Sequence, residues 1–561
     1  MTESLNPSNK HNIGPADEKP AAVGMTEALA LMGVPWLLLV VLLWAGSVPD
    51  LYACSLLGLA FVAAALAAWR ALGGGRAELY LLVFLVAMSI FRIWYVVVVS
   101  NELSGDEALF WECSRRLDWC YVTKGPVAPF CIYCTRMLLG NTVLGVRAPA
   151  IILSFAGSLL LYLLGRRIYN QRVGILSAAL LQVTPIYAFN SIGMTTDPPL
   201  IFFWLTSLLL MHWAWHSACR PAWILLGLSV GLGILSKYTM AIFFLPALGL
   251  MLTSSARSQL RTPWPYLAVI LCLLIITPLV IWNAHHGWLN FFHNFGQTHL
   301  SKSNFVSFYC LAEFVGSQLG IVTPLLLPMM LWASVKLRRQ DPLCFWLSII
   351  PLALFLLKSL QGQVLANWAL VCYLPGLISF SAYFLTPLPA TNVHLRRLAK
   401  TAVAVAVAIT IALHLVCFLP FPPGLDPLTK FRRGSAELGN IVAKLSEKLQ
   451  PRRFIFSNDY MTASLLAFYI DGQPHTYCVN LGRRFNEFDV WPTFHDLHHY
   501  DAVLVIKGNL PMPDALQSQF TIYQKCLVKT LSTVGGIENT YSVFLCRDFR
   551  GMEKIVPTRY N

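Results

Sequence analysis

The chain has 561 residues; 56% are hydrophobic, 12% are charged, and the formal net charge is +14. Soluble domains carry about 25% charged residues, so the composition excludes an ordinary soluble enzyme. The basic excess lies largely in short loops between apolar runs. That is the distribution of the positive-inside bias, and it explains the charge without nucleic acid.

The apolar runs are about 20 residues long, enough to cross ~30 Å of hydrocarbon. No alternating barrel pattern occurs, so the spans are helices and the chain reads as a polytopic α-helical membrane protein. Residues 1–24 are polar, without the profile of a signal peptide, and predict a disordered cytoplasmic tail. Spans follow at 27–46 and 51–69, within an N-terminal segment 25–78 of two helices. The core, 79–420, begins with a span at 79–99 and an acidic loop, 100–142. Further spans are predicted at 143–164, 173–192, 199–215, 222–236, 239–253, 264–284, 314–333, 343–359, 366–385 and 401–420, roughly 13 in all. Arg166, Arg167 and Arg172, then Arg257 and Arg261, then Lys336, Arg338 and Arg339, and then Arg396, Arg397 and Lys400 fall on one side. The acid-bearing loops fall on the other, which predicts the N-terminus inside and the C-terminus outside. The short pair at 222–253 carries that parity, since one kinked helix there would invert everything after it.

After Pro420-Phe-Pro-Pro-Gly424 the composition becomes mixed. Runs at 453–456, 501–506 and 541–545 read as strands, and 462–469 reads as a helix. Residues 425–561 are therefore expected to form a small soluble extracytoplasmic α/β domain.

Chemistry is sought where polar groups interrupt the apolar pattern. Asp106 and Glu107 follow the third span; a carboxylate there is placed to act as a general base toward a hydroxyl. Lys124, ahead of Gly125-Pro126, is a point charge suited to phosphate. Lys237 interrupts an apolar stretch, at a cost of roughly 2.5–3.5 kcal/mol for a mid-span lysine, and such residues line cavities or face anions. Asp197 precedes Pro198-Pro199, which also suits a helix start. His286, in His285-His286-Gly287-Trp288, is a candidate phosphate or sugar ligand. Asn367 and Trp368 offer an amide and an aromatic plane to a sugar. Cys131-x-x-Cys134 has no second metal-ligand pair at zinc spacing; a disulfide there is left open, as is a divalent metal. No nucleotide-binding or hydrolase fingerprint stands in a supporting context.

Ser104-Gly-Asp-Glu-Ala-Leu-Phe-Trp111, Tyr121-Val-Thr-Lys-Gly-Pro126, Thr196-Asp-Pro-Pro-Leu200, Leu235-Ser-Lys-Tyr-Thr239, Trp282-Asn-Ala-His-His-Gly-Trp288, Asn367-Trp368 and Arg484-Phe-Asn-Glu-Phe-Asp-Val-Trp491 occur in that order. Together they resemble the bacterial dolichyl-phosphate-mannose–protein mannosyltransferase-like family, to which the aminoarabinose transferase of lipid A is related. The resemblance implies the GT-C membrane fold. It implies a polyprenyl-phosphate sugar donor, a glycolipid, polysaccharide or protein acceptor, and inverting transfer at the outer face of the cytoplasmic membrane. It places the base at Asp106 with Glu107 beside it, a second acid at Asp197 and a donor-phosphate lysine at Lys124, with Lys237 and His286 as further contacts. Lys124-Gly125-Pro126 departs from the His-Pro-Pro run of many relatives, which bears on the donor sugar. The competing expectation is a transporter of a lipid-linked saccharide, which would more often show internal repeats.

Overall fold

In a computed structural model the described residues are 51–99, 102–216, 219–253, 255–298, 306–385, 393–416, 434–531 and 538–554. The expected tail 1–24 and the span 27–46 lie outside them.

Apolar sequence becomes helix because hydrocarbon offers no partner to a free backbone group. The N-terminal pair is α1 (Leu51–Ala71) and α2 (Arg76–Val98). The acidic loop is itself helical, α3 (Gly105–Arg115) and α4 (Val127–Leu139). Then come α5 (Val143–Ile168), α6 (Gln171–Val183), α7 (Pro185–Asn190), α8 (Asp197–His216), α9 (Arg220–Ser236) and, after a 3-10 turn, α10 (Phe244–Thr253). They are followed by α11 (Trp264–His285), α12 (Leu289–Thr298), α13 (Phe308–Val322), α14 (Leu326–Leu337), α15 (Pro342–Ser359), α16 (Leu370–Leu385) and α17 (Val393–Leu415).

Among the described residues eight helical segments are long and apolar enough to cross a membrane, or nine if the bent pair α13–α14 is one span. The protein is thus a multi-pass membrane protein. The sequence count of roughly 13 resolves into fewer full-length helices, for local reasons. The run at 173–192 divides at Thr184, extended at ψ 126, because a residue preceding proline is pushed out of the helical region. The run at 314–333 breaks at Thr323, which precedes Pro324 and sits at φ 115, and the two halves diverge by 96°.

The short pair α9–α10 makes two antiparallel passes. Lys237, at the end of α9, reaches Asp197 at the start of α8, while Thr253, at the end of α10, lines one cavity with His216 at the end of α8. The turn at Lys237 therefore lies at the same end of the bundle as Asp197. Leu200, Trp204, Leu208 and Phe243 sit in the apolar core that joins these helices.

The C-terminal domain contains α18 (Ser435–Ser446), β1 (Arg453–Ser457), α19 (Tyr460–Tyr469), β2 (Thr476–Cys478), β3 (Asp501–Lys507), β4 (Phe520–Leu531) and β5 (Glu538–Phe549). The sheet order is β2-β1-β3-β5-β4. Strand β1 pairs in parallel with β2 and β3, while β5 pairs antiparallel with β3 and β4. Strands β1, β3 and β5 and helix α19 cover the stretches read from the sequence; β2 and β4 were not anticipated. Helix α19 packs directly on α3 through Leu465, Ala467 and Phe468 against Phe110 and Trp111. The sheet domain therefore sits on the acidic loop.

Candidate active site

The loop's first helix is fixed by its own sequence. Ser104 and Glu107 form a reciprocal capping box: Glu107 N–H donates to Ser104 Oγ at 3.2 Å and Ser104 N–H donates to Glu107 Oε2 at 2.9 Å. Gly105 is required at the start, because a Cβ there would lie 2.4 Å from the Met461 side chain of α19. Asp106 is consequently presented in the first turn, half-buried. Tyr460 of α19 donates a hydrogen bond to its Oδ1 at 3.3 Å.

Glu107 departs from its expected role beside the base. It is 1% exposed and its oxygens are committed. Arg147 Nε donates to Oε1 at 2.8 Å and an Arg147 terminal nitrogen to Oε2 at 2.9 Å, while Met194 N–H donates to Oε1 at 3.2 Å. Burial alone would raise its pKa; the Arg147 charge and these hydrogen bonds outweigh it and hold the carboxyl below its usual range. Glu107 ties α3 to α5 and to the turn before α8, and it has no free lone pair directed at a substrate. Arg147 was not singled out from the sequence. A charge inside the apolar 143–164 run was the available signal.

Asp197, Lys237 and Asn367 come from three separate turns and converge. Lys237 Nζ lies 2.5 Å from Asp197 Oδ1, and Asn367 Nδ2 donates to Asp197 Oδ2 at 2.7 Å. Asp197 is 4% exposed. The lysine is thereby neutralised by an internal carboxylate, and the asparagine amide is engaged. This cluster ties the ends of α8, α9 and the turn before α16. Lys237, expected at a phosphate, and Asn367, expected at a sugar, are both joined to Asp197 in this structure. Trp368 is half-buried against the helical core.

Lys124 has a different environment. Among the described residues its ammonium makes no hydrogen bond or ion pair, although its charge acts on Glu487 and His293. Its loop is fixed by backbone contact: a Cβ on Gly125 would meet the Leu235 carbonyl oxygen at 1.9 Å, so only glycine lets the loop lie against the end of α9. Asn290 Nδ2 donates to the Tyr121 carbonyl at 2.6 Å, and Tyr238 donates to Asn290.

The C-terminal domain pins the same loop. Thr123 N–H and Oγ1 both donate to Glu487 Oε1, at 3.0 and 2.5 Å. Arg116 lies 4.5 Å from the centre of the Trp491 ring, and Arg484 donates to the His293 carbonyl at 3.0 Å. Glu487 is 1% exposed, and among the described residues its Oε2 has no hydrogen-bond partner. Burial raises its pKa, partly offset by the Thr123 hydrogen bonds. These roles were not assigned from the sequence, where 484–491 stood out only as part of the resemblance.

His286 lies at the end of α11. Its ring stacks on Trp282, centroids 4.0 Å apart, and its Nδ1 is 2.8 Å from the Trp282 carbonyl oxygen. Trp282 Nε1 in turn donates to Asp118 Oδ2 at 2.8 Å. His286 is thus joined to the acidic loop through Trp282, and no hydrogen bond among the described residues links it to Lys124 or Asp197. Cys131 and Cys134 are both free thiols on α4. Among the described residues no three His, Cys, Asp or Glu side chains converge in a metal-binding group.

Comparison with known proteins supplies the context. Residues 123–282 match the family model described as dolichyl-phosphate-mannose-protein mannosyltransferase. The chain is 27% identical over 299 residues to the lipid A galacturonosyltransferase RgtD of Rhizobium johnstonii, covering 51% of this chain and 62% of that one. It is 30% identical over 275 residues to the undecaprenyl phosphate-alpha-4-amino-4-deoxy-L-arabinose arabinosyl transferase 1 of Pseudomonas fluorescens, covering 46% of this chain and 48% of that one. The matches thus span about half to three-fifths of these relatives' lengths. The crystal structure of ArnT from Cupriavidus metallidurans bound to undecaprenyl phosphate superposes with a TM-score of 0.57 at 16% identity, over 82% of this chain and 97% of that one. This likeness is one of fold, the GT-C fold.

Proposed function

We propose that this chain, which belongs to the mannosyltransferase- and aminoarabinose-transferase-like GT-C family, is an inverting glycosyltransferase using a polyprenyl-phosphate sugar donor. The names of its relatives support an undecaprenyl-phosphate-linked sugar as donor and lipid A as acceptor. The charge pattern supports placement in the cytoplasmic membrane with the N-terminus inside and the sheet domain on the outer face.

The observation that carries this reading is a half-buried carboxylate, Asp106, held by Tyr460, in the same loop as Lys124, whose ammonium makes no hydrogen bond or ion pair among the described residues and whose charge acts on Glu487. Asp106 is the base. It accepts the proton of the acceptor hydroxyl as that oxygen bonds to the anomeric carbon, and the bond from that carbon to the phosphate oxygen breaks on the opposite face. One displacement of this kind inverts the centre and needs no covalent enzyme intermediate. Negative charge grows on the departing polyprenyl phosphate, and a fixed cation in a dry site stabilises such charge far more than it would in water. Lys124 is the group placed for that task. The Asp197–Lys237–Asn367 cluster, internally neutral, holds the three turns around the site.

The test is transfer of labelled sugar from undecaprenyl-phosphate aminoarabinose and undecaprenyl-phosphate galacturonate to lipid A in membranes, comparing the native chain with Asp106→Asn at equal expression. Transfer abolished by the substitution with donor binding retained supports the reading. Undiminished transfer removes Asp106 from the mechanism. Donor lipid crossing the bilayer without transfer replaces the enzyme with a transporter.

A further inference from the structure

At the end of the bundle opposite Asp106 a cavity of about 920 Å³ opens between the ends of α5, α8 and α10 and the turn joining α14 to α15. Its distance from the site follows from α8. That helix starts at Asp197 and ends at His216 on the cavity wall, and its 20 residues span ~30 Å at about 1.5 Å per residue. The volume is within the roughly 300–1,000 Å³ range of small-ligand sites.

Three guanidiniums, Arg167, Arg338 and Arg339, line it, and among the described residues none of them has a carboxylate partner. The guanidinium carbon of Arg167 lies over the Trp213 ring, 4.7 Å from its centre. One terminal nitrogen of Arg338 donates to the Val335 carbonyl at 3.0 Å. The acid on the wall, Asp341, is 4% exposed and already engaged: Cys344 N–H donates to Oδ1 at 3.1 Å and the Tyr169 hydroxyl to Oδ2 at 3.3 Å. It caps α15 and does not pair with an arginine.

We infer that this cavity binds the phosphate of an anionic glycerophospholipid headgroup. Guanidinium forks match phosphate oxygens two at a time. Trp215 and Trp346 also line the cavity, and tryptophan favours the headgroup level of a bilayer. Basic pockets between membrane helices are a recognised way of holding such headgroups. A general positive-inside bias would scatter arginines over separate loops; here the end of α5 and the turn joining α14 to α15 bring three of them to one concavity. The inference is independent of the transfer reaction, because its site lies at the other face.

The experiment places the full-length chain in nanodiscs of phosphatidylcholine with cardiolipin or phosphatidylglycerol and measures lipid retained on extraction by native mass spectrometry. Arg338→Gln/Arg339→Gln is compared with Arg396→Gln/Arg397→Gln, and Arg167→Gln with Arg396→Gln, controls that remove equal charge outside the cavity. Expected is several-fold enrichment of the anionic lipid on the native chain and on the controls, lost in the cavity variants, each read at matched melting temperature. Displacement of the lipid by millimolar inorganic phosphate supports phosphate recognition, with free phosphate as a second source. Equal retention by cavity and control variants, or no preference over phosphatidylcholine, overturns the inference.

Discussion

Tyr460, in the sheet domain, donates a hydrogen bond to Asp106, in the loop that follows the third predicted span, at 3.3 Å. The candidate base is therefore oriented from a different domain. The Tyr460 phenol is pushed well above its usual pKa by burial, and Asp106, Asp459 and Glu487 add to this, so it stays a hydrogen-bond donor across the physiological range.

Two substitutions separate the base from its support. Asp106→Asn should abolish turnover. Tyr460→Phe should lower kcat on the order of 10-fold, removing one hydrogen bond to a charged group, with KM for the donor little changed. A Tyr460→Phe enzyme with unchanged kcat would dismiss the orienting role.

For the Asp197 cluster the prediction concerns folding first. Lys237→Ala leaves a buried carboxylate without its cation and should destabilise the protein by about 3–5 kcal/mol. Adding Asp197→Asn should restore most of that loss, since the orphaned charge disappears. Thermal unfolding in detergent measures both. If Lys237→Ala abolishes transfer but leaves the melting temperature unchanged, Lys237 acts on the substrate and not on Asp197.

Glu107 makes stability depend on pH in a defined sense. Its folded pKa is depressed, so its contribution is present above the unfolded value of about 4.3 and is lost as pH falls through the folded value. Glu107→Gln should flatten the acid side of the unfolding curve and destabilise the protein near neutral pH by about 3 kcal/mol or more, because Arg147 is then buried without its counterion. Identical acid unfolding of variant and native chain would contradict this.

Glu487 predicts the opposite slope. Its folded pKa is raised, so its favourable contribution is complete below the unfolded value and fades as pH rises through the folded one. Glu487→Gln removes the ionisation while keeping an acceptor for Thr123, so its stability relative to the native chain should improve as pH rises. A melting-temperature difference constant between about pH 5 and pH 8 would show that Glu487 does not titrate there. Glu487→Ala should additionally loosen the Lys124 loop and raise KM for the donor several-fold.

Gly125 tests the loop's seat. With the Leu235 carbonyl 1.9 Å from where a Cβ would sit, Gly125→Ala must displace backbone, and donor affinity should fall by more than tenfold. Donor binding equal to that of the native chain would mean that Lys124 does not depend on this contact.

Composition and spacing were enough to establish a helical membrane protein, because the length of an apolar run answers to bilayer thickness and its charge to sidedness. The sequence alone also marked Asp106, Asp197, Lys124, Lys237 and Asn367, since a polar group is costly inside an apolar pattern and calls for a reason. What those groups do depends on partners hundreds of residues away. Lys237 and Asn367 lie 40 and 170 positions beyond Asp197, and only packing made them one neutral cluster, while Lys124 has no ion pair among the described residues. Glu107 stands next to Asp106 and shares its chemistry, yet successive helix positions point in different directions, so one reaches Arg147 and the other the site. Tyr460 and Glu487 are ordinary residues of a soluble domain by sequence. Their place at the site follows from α19 packing on α3, an apolar contact between domains that no local pattern encodes.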